Sequence, residues 1–190
     1  MKRILLTALF SFTLTLASMA QSHGDDWTLG IGVNAVNNLG TRNPVERPSD
    51  WAFKIPVSVS LEKSWAKPFS IEILLGLNEF SQKEAIDNAI LTKDYTYFSA
   101  DTNLKYYFGN SLLNLNSNRF DLFVTAGPGL FIIDNTNITG NLGGGALFWF
   151  SDQQKAGLKL QALSKFAMDA KDRAIDNNHF QYHLQVVFRL

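Results

Sequence analysis

The chain has 190 residues, 17 basic and 17 acidic side chains, 46% hydrophobic and 13% aromatic residues, and no cysteine. That length fits one domain, the charge balance gives no sign of a nucleic-acid partner, and the lack of cysteine excludes thiolate metal sites and Cys nucleophiles. Fifteen Phe in a chain with only 18% charged residues call for an explanation.

Lys2 and Arg3 precede an apolar run, Ile4 to Leu16, followed by Ala17-Ser18-Met19-Ala20. A basic start, a short apolar core and small residues before the cut are the layout of a secretory signal, so residues 1–20 are expected to be removed before Gln21. An N-terminal membrane anchor would need a longer apolar run of ~20 residues. No Cys follows, which excludes a lipid anchor on an N-terminal cysteine. Residues 21–190 then form the mature domain, with 15 basic and 17 acidic residues and a formal charge of −2. No stretch after Gln21 approaches the length of a transmembrane helix.

From there apolar residues recur at every second position, the period of an extended strand. Trp27, Leu29, Ile31, Val33 and Ala35 alternate with Thr28, Gly30, Gly32 and Asn34. A polar connection, Asn37–Asp50, leads to Phe53, Ile55, Val57, Val59 and Leu61, which alternate with Lys54, Pro56, Ser58 and Ser60. Glu62–Pro68 reads as a turn. Phe69, Ile71, Ile73, Leu75 and Leu77 then oppose Ser70, Glu72, Gly76 and Asn78. Ser81–Asp94 is polar, with a short helical turn expected at Ala85–Leu91.

Phe98, Ala100, Thr102, Leu104, Tyr106 and Phe108 face away from Ser99, Asp101, Asn103 and Lys105. After Gly109–Asn118, Phe120, Leu122, Val124, Ala126 and Leu130 oppose Asp121, Thr125, Gly127 and Gly129. Asp134–Thr139 links to Leu142, Ala146, Phe148 and Phe150, which oppose Asn141, Gly143 and Gly145. Ser151–Lys155 leads to Ala156, Leu158, Leu160, Ala162 and Phe166, opposite Gly157, Lys159, Gln161 and Lys165. Met168–Asn178 leads to the final run, in which Phe180, Tyr182, Leu184, Val186, Phe188 and Leu190 oppose His179, Gln181, His183, Gln185 and Arg189. Within this final run Val187 is the one apolar residue in the polar phase.

Each of these eight runs is close to the ~9–11 residues of a tilted membrane strand. No Asp, Glu, Lys or Arg falls in the apolar phase of any run. An eight-stranded barrel has an interior just wide enough to be filled by side chains, too small for so many large apolar groups. Glycines in the polar phase leave room there for Lys, Gln and Arg. The polar wall is therefore expected inside and hydrocarbon outside.

An open edge in lipid would leave backbone groups unpaired, so the last run is expected to pair with the first. The fold expected is all-β, an eight-stranded antiparallel up-and-down transmembrane barrel with a polar, side-chain-filled lumen. Lys54, Glu72, Asp101, Lys105, Lys159, Lys165 and Arg189 are its expected lumen network. Trp27, Trp51, Phe69, Tyr106, Phe108, Phe120, Phe150 and Phe188, near run ends, are expected in interfacial aromatic girdles.

The segments Trp27–Val36, Tyr97–Gly109, Phe123–Gly129, Asn141–Gly145 and His179–Leu190 resemble, in that order, the transmembrane barrel of OmpA-like proteins of Gram-negative bacteria. The resemblance implies residence in the outer membrane and insertion by the barrel-assembly machinery. The C-terminal insertion signal would be carried by Tyr182, Val186, Phe188 and Leu190, with Leu190 where such barrels usually end in an aromatic. The 190 residues hold no counterpart of the family's peptidoglycan-binding domain, so attachment to the cell wall is not carried over. The role implied is structural or adhesive, with membrane lipid and other outer-membrane proteins as partners and no cofactor. An accessory subunit of a larger outer-membrane complex and a narrow porin-like channel are the alternatives.

Candidate chemistry is sparse. His179 and His183 share a face, but four strand positions span ~13 Å, too far for two ligands of one metal from this strand alone. His23 precedes the first run. Glu72 and Asp101 could sit at similar depth as an acid–base pair, yet the lysines of the same phase are expected to neutralise them. A lipid-modifying barrel enzyme would need a serine beside a histidine base. Ser164 lies in the outward phase and neither terminal-strand histidine does. Gly143-Gly144-Gly145 lacks the Gly-Lys-Ser/Thr ending and helix of a phosphate loop, and strand follows it. The sequence points away from an enzyme.

Overall fold

The computed structural model describes residues 26–37, 43–45, 48–66, 68–86, 89–109, 119–168 and 177–190. The signal-peptide reading and His23 lie outside them.

Eight strands form one closed antiparallel barrel: β1 (Asp26–Val36), β2 (Val57–Ala66), β3 (Phe69–Phe80), β6 (Tyr95–Tyr107), β7 (Phe120–Ile132), β8 (Thr136–Trp149), β9 (Ala156–Ala167) and β10 (His179–Arg189). Every strand pairs with its barrel neighbours in sequence, and β10 pairs with β1 from Thr28/Arg189 to Val36/Gln181. That seam removes the last free edge, which hydrocarbon would not tolerate. The barrel has a terminal end, where β1 begins and β10 stops, and a loop end, where the connections β1–β2, β3–β6, β7–β8 and β9–β10 lie.

The alternation in sequence becomes alternation in space. Ile31, Val33, Val59, Ile71, Ile73, Leu75, Leu104, Val124, Leu142, Leu158, Leu160, Leu184 and Val186 are all exposed on the outer wall. Asn34, Ser60, Glu72, Asn103, Lys105, Lys159, Gln161, Lys165 and Gln185 are buried inside. A water-facing barrel would reverse these sides, so the outer wall is a lipid wall. Charged side chains enter the outward phase only near strand ends, as Lys63 at the terminal end and Glu79 at the loop end.

Four expectations are corrected. The second strand begins at Val57, not Phe53. Pro56 has no N–H for the ladder, Val57 N–H donates to Ile55 O at 2.9 Å, and Ala52 instead exchanges both backbone hydrogen bonds with Val36. The same strand runs on to Ala66, so Glu62 lies in strand rather than in a turn. The β7–β8 turn is confined to residues 133–135, because the ladder continues to Ile132/Thr136. Ala85–Leu91 is not helical. It holds the minimal hairpin β4 (Ala85–Ile86) and β5 (Ala89–Ile90), closed by hydrogen bonds from Lys83 N–H to Leu91 O and from Leu91 N–H to Glu84 O, both 3.0 Å.

Backbones approach very closely at several inward glycines, Gly32 and Gly127 among them. A Cβ on Gly32 would lie 2.0 Å from Leu184 O, and one on Gly127 the same distance from Thr102 O. At these positions the wall has no space for a side chain.

Candidate functional site

The lumen is built from the inward phase of all eight strands. Glu72 on β3 is opposite Asn103 on β6 and Glu62 on β2. Lys105 Nζ donates to Glu72 at 2.7 Å and to Glu62 at 2.9 Å. Lys159 Nζ also donates to Glu72, and to Ser60 Oγ at 2.9 Å. Gln161 Nε2 completes the shell of Glu72 at 3.1 Å. Glu62 accepts further bonds from Ser70 Oγ and Tyr107 OH, each at 2.6 Å. Lys105 Nζ lies 4.5 Å from the centre of the Phe123 ring, a cation–π contact.

A second ionic group lies nearer the loop end. Lys165 Nζ donates to Asp101 at 2.8 Å and to Gln181 Oε1 at 3.2 Å, while Asn141 Nδ2 donates to Asp101 at 2.9 Å. The register puts Asp101 opposite Leu74, two residues beyond Glu72 along β3. The two carboxylates hold different lysines, so they do not form a pair sharing one proton. Three buried carboxylates, Glu62, Glu72 and Asp101, thus meet three buried ammonium groups, Lys105, Lys159 and Lys165. Buried charges are tolerated when paired and hydrogen-bonded in this way.

Both histidines of β10 point inward. His179 Nδ1 donates to Asn177 O at 3.0 Å, so the neutral ring's Nε2 accepts from Tyr97 OH at 2.7 Å. His183 Nδ1 lies 2.8 Å from Ser58 Oγ, which also accepts from Gln185 Nε2 at 2.7 Å. A Ser–His contact is the start of nucleophile activation. Both side chains are buried, however. Ser164 lies on the opposite side of the wall. Among the described residues no three His, Cys, Asp or Glu side chains are gathered as metal ligands.

Apolar clusters close the polar lumen at either end. At the loop end Val36, Ala52, Phe80, Ile86, Leu91, Tyr97 and Phe131 pack together, so the β1–β2 and β3–β6 connections both contribute to the cap. At the terminal end Leu147, Trp149 and Val187 pack with Tyr107. Val187, the apolar exception in the inward phase of β10, is a cap residue.

Of the seven side chains expected in the lumen network, Glu72, Asp101, Lys105, Lys159 and Lys165 lie within it. Arg189 sits half-buried at the terminal end, its guanidinium 5.0 Å from the centre of the Trp149 ring. Lys54 is a correction. It lies outside the barrel with its side chain 46% exposed, paired with Asp94 at 2.8 Å and with Glu79. Those two hydrogen bonds hold its ammonium above the ordinary lysine range, and Lys54 with the Gln82 N–H holds the Asp94 carboxyl below the usual aspartate range. At the terminal end Arg119 binds Asp152 through two hydrogen bonds of 2.8 and 3.0 Å, which lower the Asp152 carboxyl.

Glu62 is the network member that the sequence reading misses. Ser58, Ser60, Glu62 and Ser64 share one parity, and extending the second run past Leu61 would have placed it inside.

Of the proposed C-terminal signal, Val186 and Phe188 face lipid on β10, and Leu190 N–H donates to Trp27 O at 2.9 Å. Tyr182 lies at the opposite, loop end. Its ring stacks on Trp51 with centroids 4.9 Å apart and planes 4° apart, and its hydroxyl donates to Pro44 O.

Among solved structures the barrel is similar to Neisserial surface protein A (NspA), with a TM-score of 0.54 and 10% identity over 87% of this chain and 97% of that one. It is also similar to Ail, the attachment invasion locus protein of Yersinia pestis, in complex with the heparin analogue sucrose octasulfate. That match has a TM-score of 0.46 and 10% identity over 87% of this chain and 96% of Ail. Ail in a phospholipid bilayer nanodisc gives 0.46 and 12% over 87% and 99%. No family model and no curated protein matches the sequence. At these identities the likeness is one of fold, that of an eight-stranded membrane barrel.

Proposed function

We propose that this chain is an integral outer-membrane protein of the OmpA-like barrel type, exported through a signal peptide at residues 1–20. Its role is non-enzymatic, structural or adhesive. The observation that carries this reading is the filled lumen: balanced buried ion pairs between two apolar caps. A conducting pore needs a continuous polar path, and a barrel of eight strands has little space beyond its own side chains. The buried ion pairs support a plug. Function then belongs to the outer surface and the loops, where a rigid barrel displays segments free to vary.

Membrane lipid is the constant partner of the outer wall. The barrel-assembly machinery would receive β10 through Tyr182, Val186, Phe188 and Leu190, and the loops would meet other envelope components. Recording in planar bilayers tests the central claim: the purified protein is expected to give no steady unitary current. A stable conductance would establish the narrow channel instead. Purification in mild detergent with identification of co-purifying proteins tests for membership of a larger complex.

A further inference from the structure

Among the described residues, the connection between β1 and β2 carries the largest concentration of exposed apolar side chains outside the strands: Val45, Phe53 (58% exposed) and Ile55 (40% exposed). The bridge between Ala52 and Val36 fixes the direction of the residues on either side of Ala52. It turns the Ala52 side chain into the barrel mouth, where it is fully buried, so its neighbours Trp51 and Phe53 point to the outside. Trp51 lies flat on Tyr182, which belongs to the lipid-facing phase of β10 beside the small Ala35. The hydrogen bond from Tyr182 OH to Pro44 O ties the start of the connection to the same strand. The charged residue in the middle of the segment, Lys54, turns to Glu79 and Asp94.

The strands around this segment are short. β2 has 10 residues, and its ladder with β1 ends at Gly32/Ser58. β7 and β8 have 13 and 14 residues and remain paired to Ile132/Thr136. The apolar surface of Val33, Val57 and Leu184 leads on to Ile55, Phe53 and the Trp51–Tyr182 stack, with the Lys54 ion pairs beside it.

The geometry points to this connection as a membrane-interface element. Trp51, Phe53 and Ile55 lie at the boundary of headgroups and acyl chains, and they complete the lipid belt where the β1–β2 ladder stops short. The occupant of this surface is lipid rather than a second protein because the surface is continuous with the lipid wall. Any protein covering it would also have to displace acyl chains from Val57 and Leu184. An aromatic pair at the belt edge is the placement that interfacial Trp and Tyr favour. The inference rests on the membrane placement proposed above.

The chain has no cysteine, so single substitutions label uniquely. A nitroxide at Phe53→Cys is compared with one at Leu160→Cys on the outer wall and one at Thr92→Cys in the exposed β3–β6 connection. The protein is reconstituted in phosphatidylcholine–phosphatidylglycerol vesicles, and collision with oxygen and with a water-soluble nickel chelate is measured at each site. Position 53 is expected to show an oxygen-to-nickel ratio several-fold above that at 92 and below that at 160. Val45→Cys repeats the measurement at a second exposed site, and heat-modifiable migration on gels checks that each variant is folded. Nickel access at 53 equal to that at 92 would overturn the inference by placing the connection in water. Protection from both reagents with spin–spin broadening would overturn it in favour of a second copy of the chain. Nickel access at 160 would instead defeat the membrane placement itself.

Discussion

Removing the Glu72 carboxylate should unbalance the lumen. In Glu72→Ala the hydrogen bonds from Lys105, Lys159 and Gln161 are lost together. Lys105 keeps Glu62, but Lys159 keeps only the neutral hydroxyl of Ser60, and both ammonium groups remain buried. Breaking a buried pair from one side costs about 3–5 kcal/mol, because the surviving charge has neither water nor partner. Lys159→Met in the same background removes the stranded charge at similar volume, leaving Glu62 and Asp101 against Lys105 and Lys165. The double variant should therefore be more stable than Glu72→Ala alone, by about 1–3 kcal/mol, although it has lost one more polar group. Urea unfolding in detergent micelles, followed by tryptophan fluorescence and extrapolated linearly, measures all three proteins. A Glu72→Ala variant within about 1 kcal/mol of the parent, or a double variant less stable than the single, would refute the reasoning.

Gly32→Ala should destabilise the β1–β10 seam by about 1–3 kcal/mol, since its Cβ would meet the Leu184 carbonyl rather than a flexible side chain. The outward Gly140→Ala, whose nearest neighbour is Met168 Cε at 3.7 Å, should stay within about 0.5 kcal/mol in the same unfolding assay; equal effects would count against the close approach. Ile73→Arg on the outer face of β3 should cost about 2–4 kcal/mol in vesicles if this wall lies near the bilayer midplane, and a neutral result would contradict the lipid wall. Asp94 should titrate below the usual aspartate value by NMR, and its midpoint should rise in Lys54→Met. Because its folded value is depressed, its contribution to the loop clasp is present above the unfolded value and is lost as pH falls through the folded one. The pair is exposed, so added salt should shrink the difference, and a salt-insensitive midpoint would argue for another cause.

Side-chain parity was legible in the sequence along almost the whole barrel. Glu72, Asp101, Lys105, Lys159 and Lys165 were placed on the inner wall from alternation alone, and Phe180 to Phe188 on the outer wall, because successive residues of a strand face opposite sides whatever the strand pairs with. Closure of β10 on β1 also followed, from the cost of an unpaired edge in lipid. Parity misled where the chain left the ladder. Lys54 has the inward phase but lies before Pro56, beyond the last paired residue of β2. Glu62 was missed for the converse reason, since a charged residue after an apolar run looks like a turn.

The amino-acid sequence by itself determined the period, the two walls and the number of barrel strands, all of which depend on neighbours a few residues apart. Which lumen side chains meet was decided only by the tertiary structure. Lys159 reaches Glu72, 87 positions earlier, and Lys165 reaches Asp101, because the tilt and stagger of a closed barrel bring distant strands to one depth. The loop-end cap is of the same kind. Ala52, Ile86 and Leu91 are unremarkable in sequence, and they become a plug only when two connections fold over the same mouth.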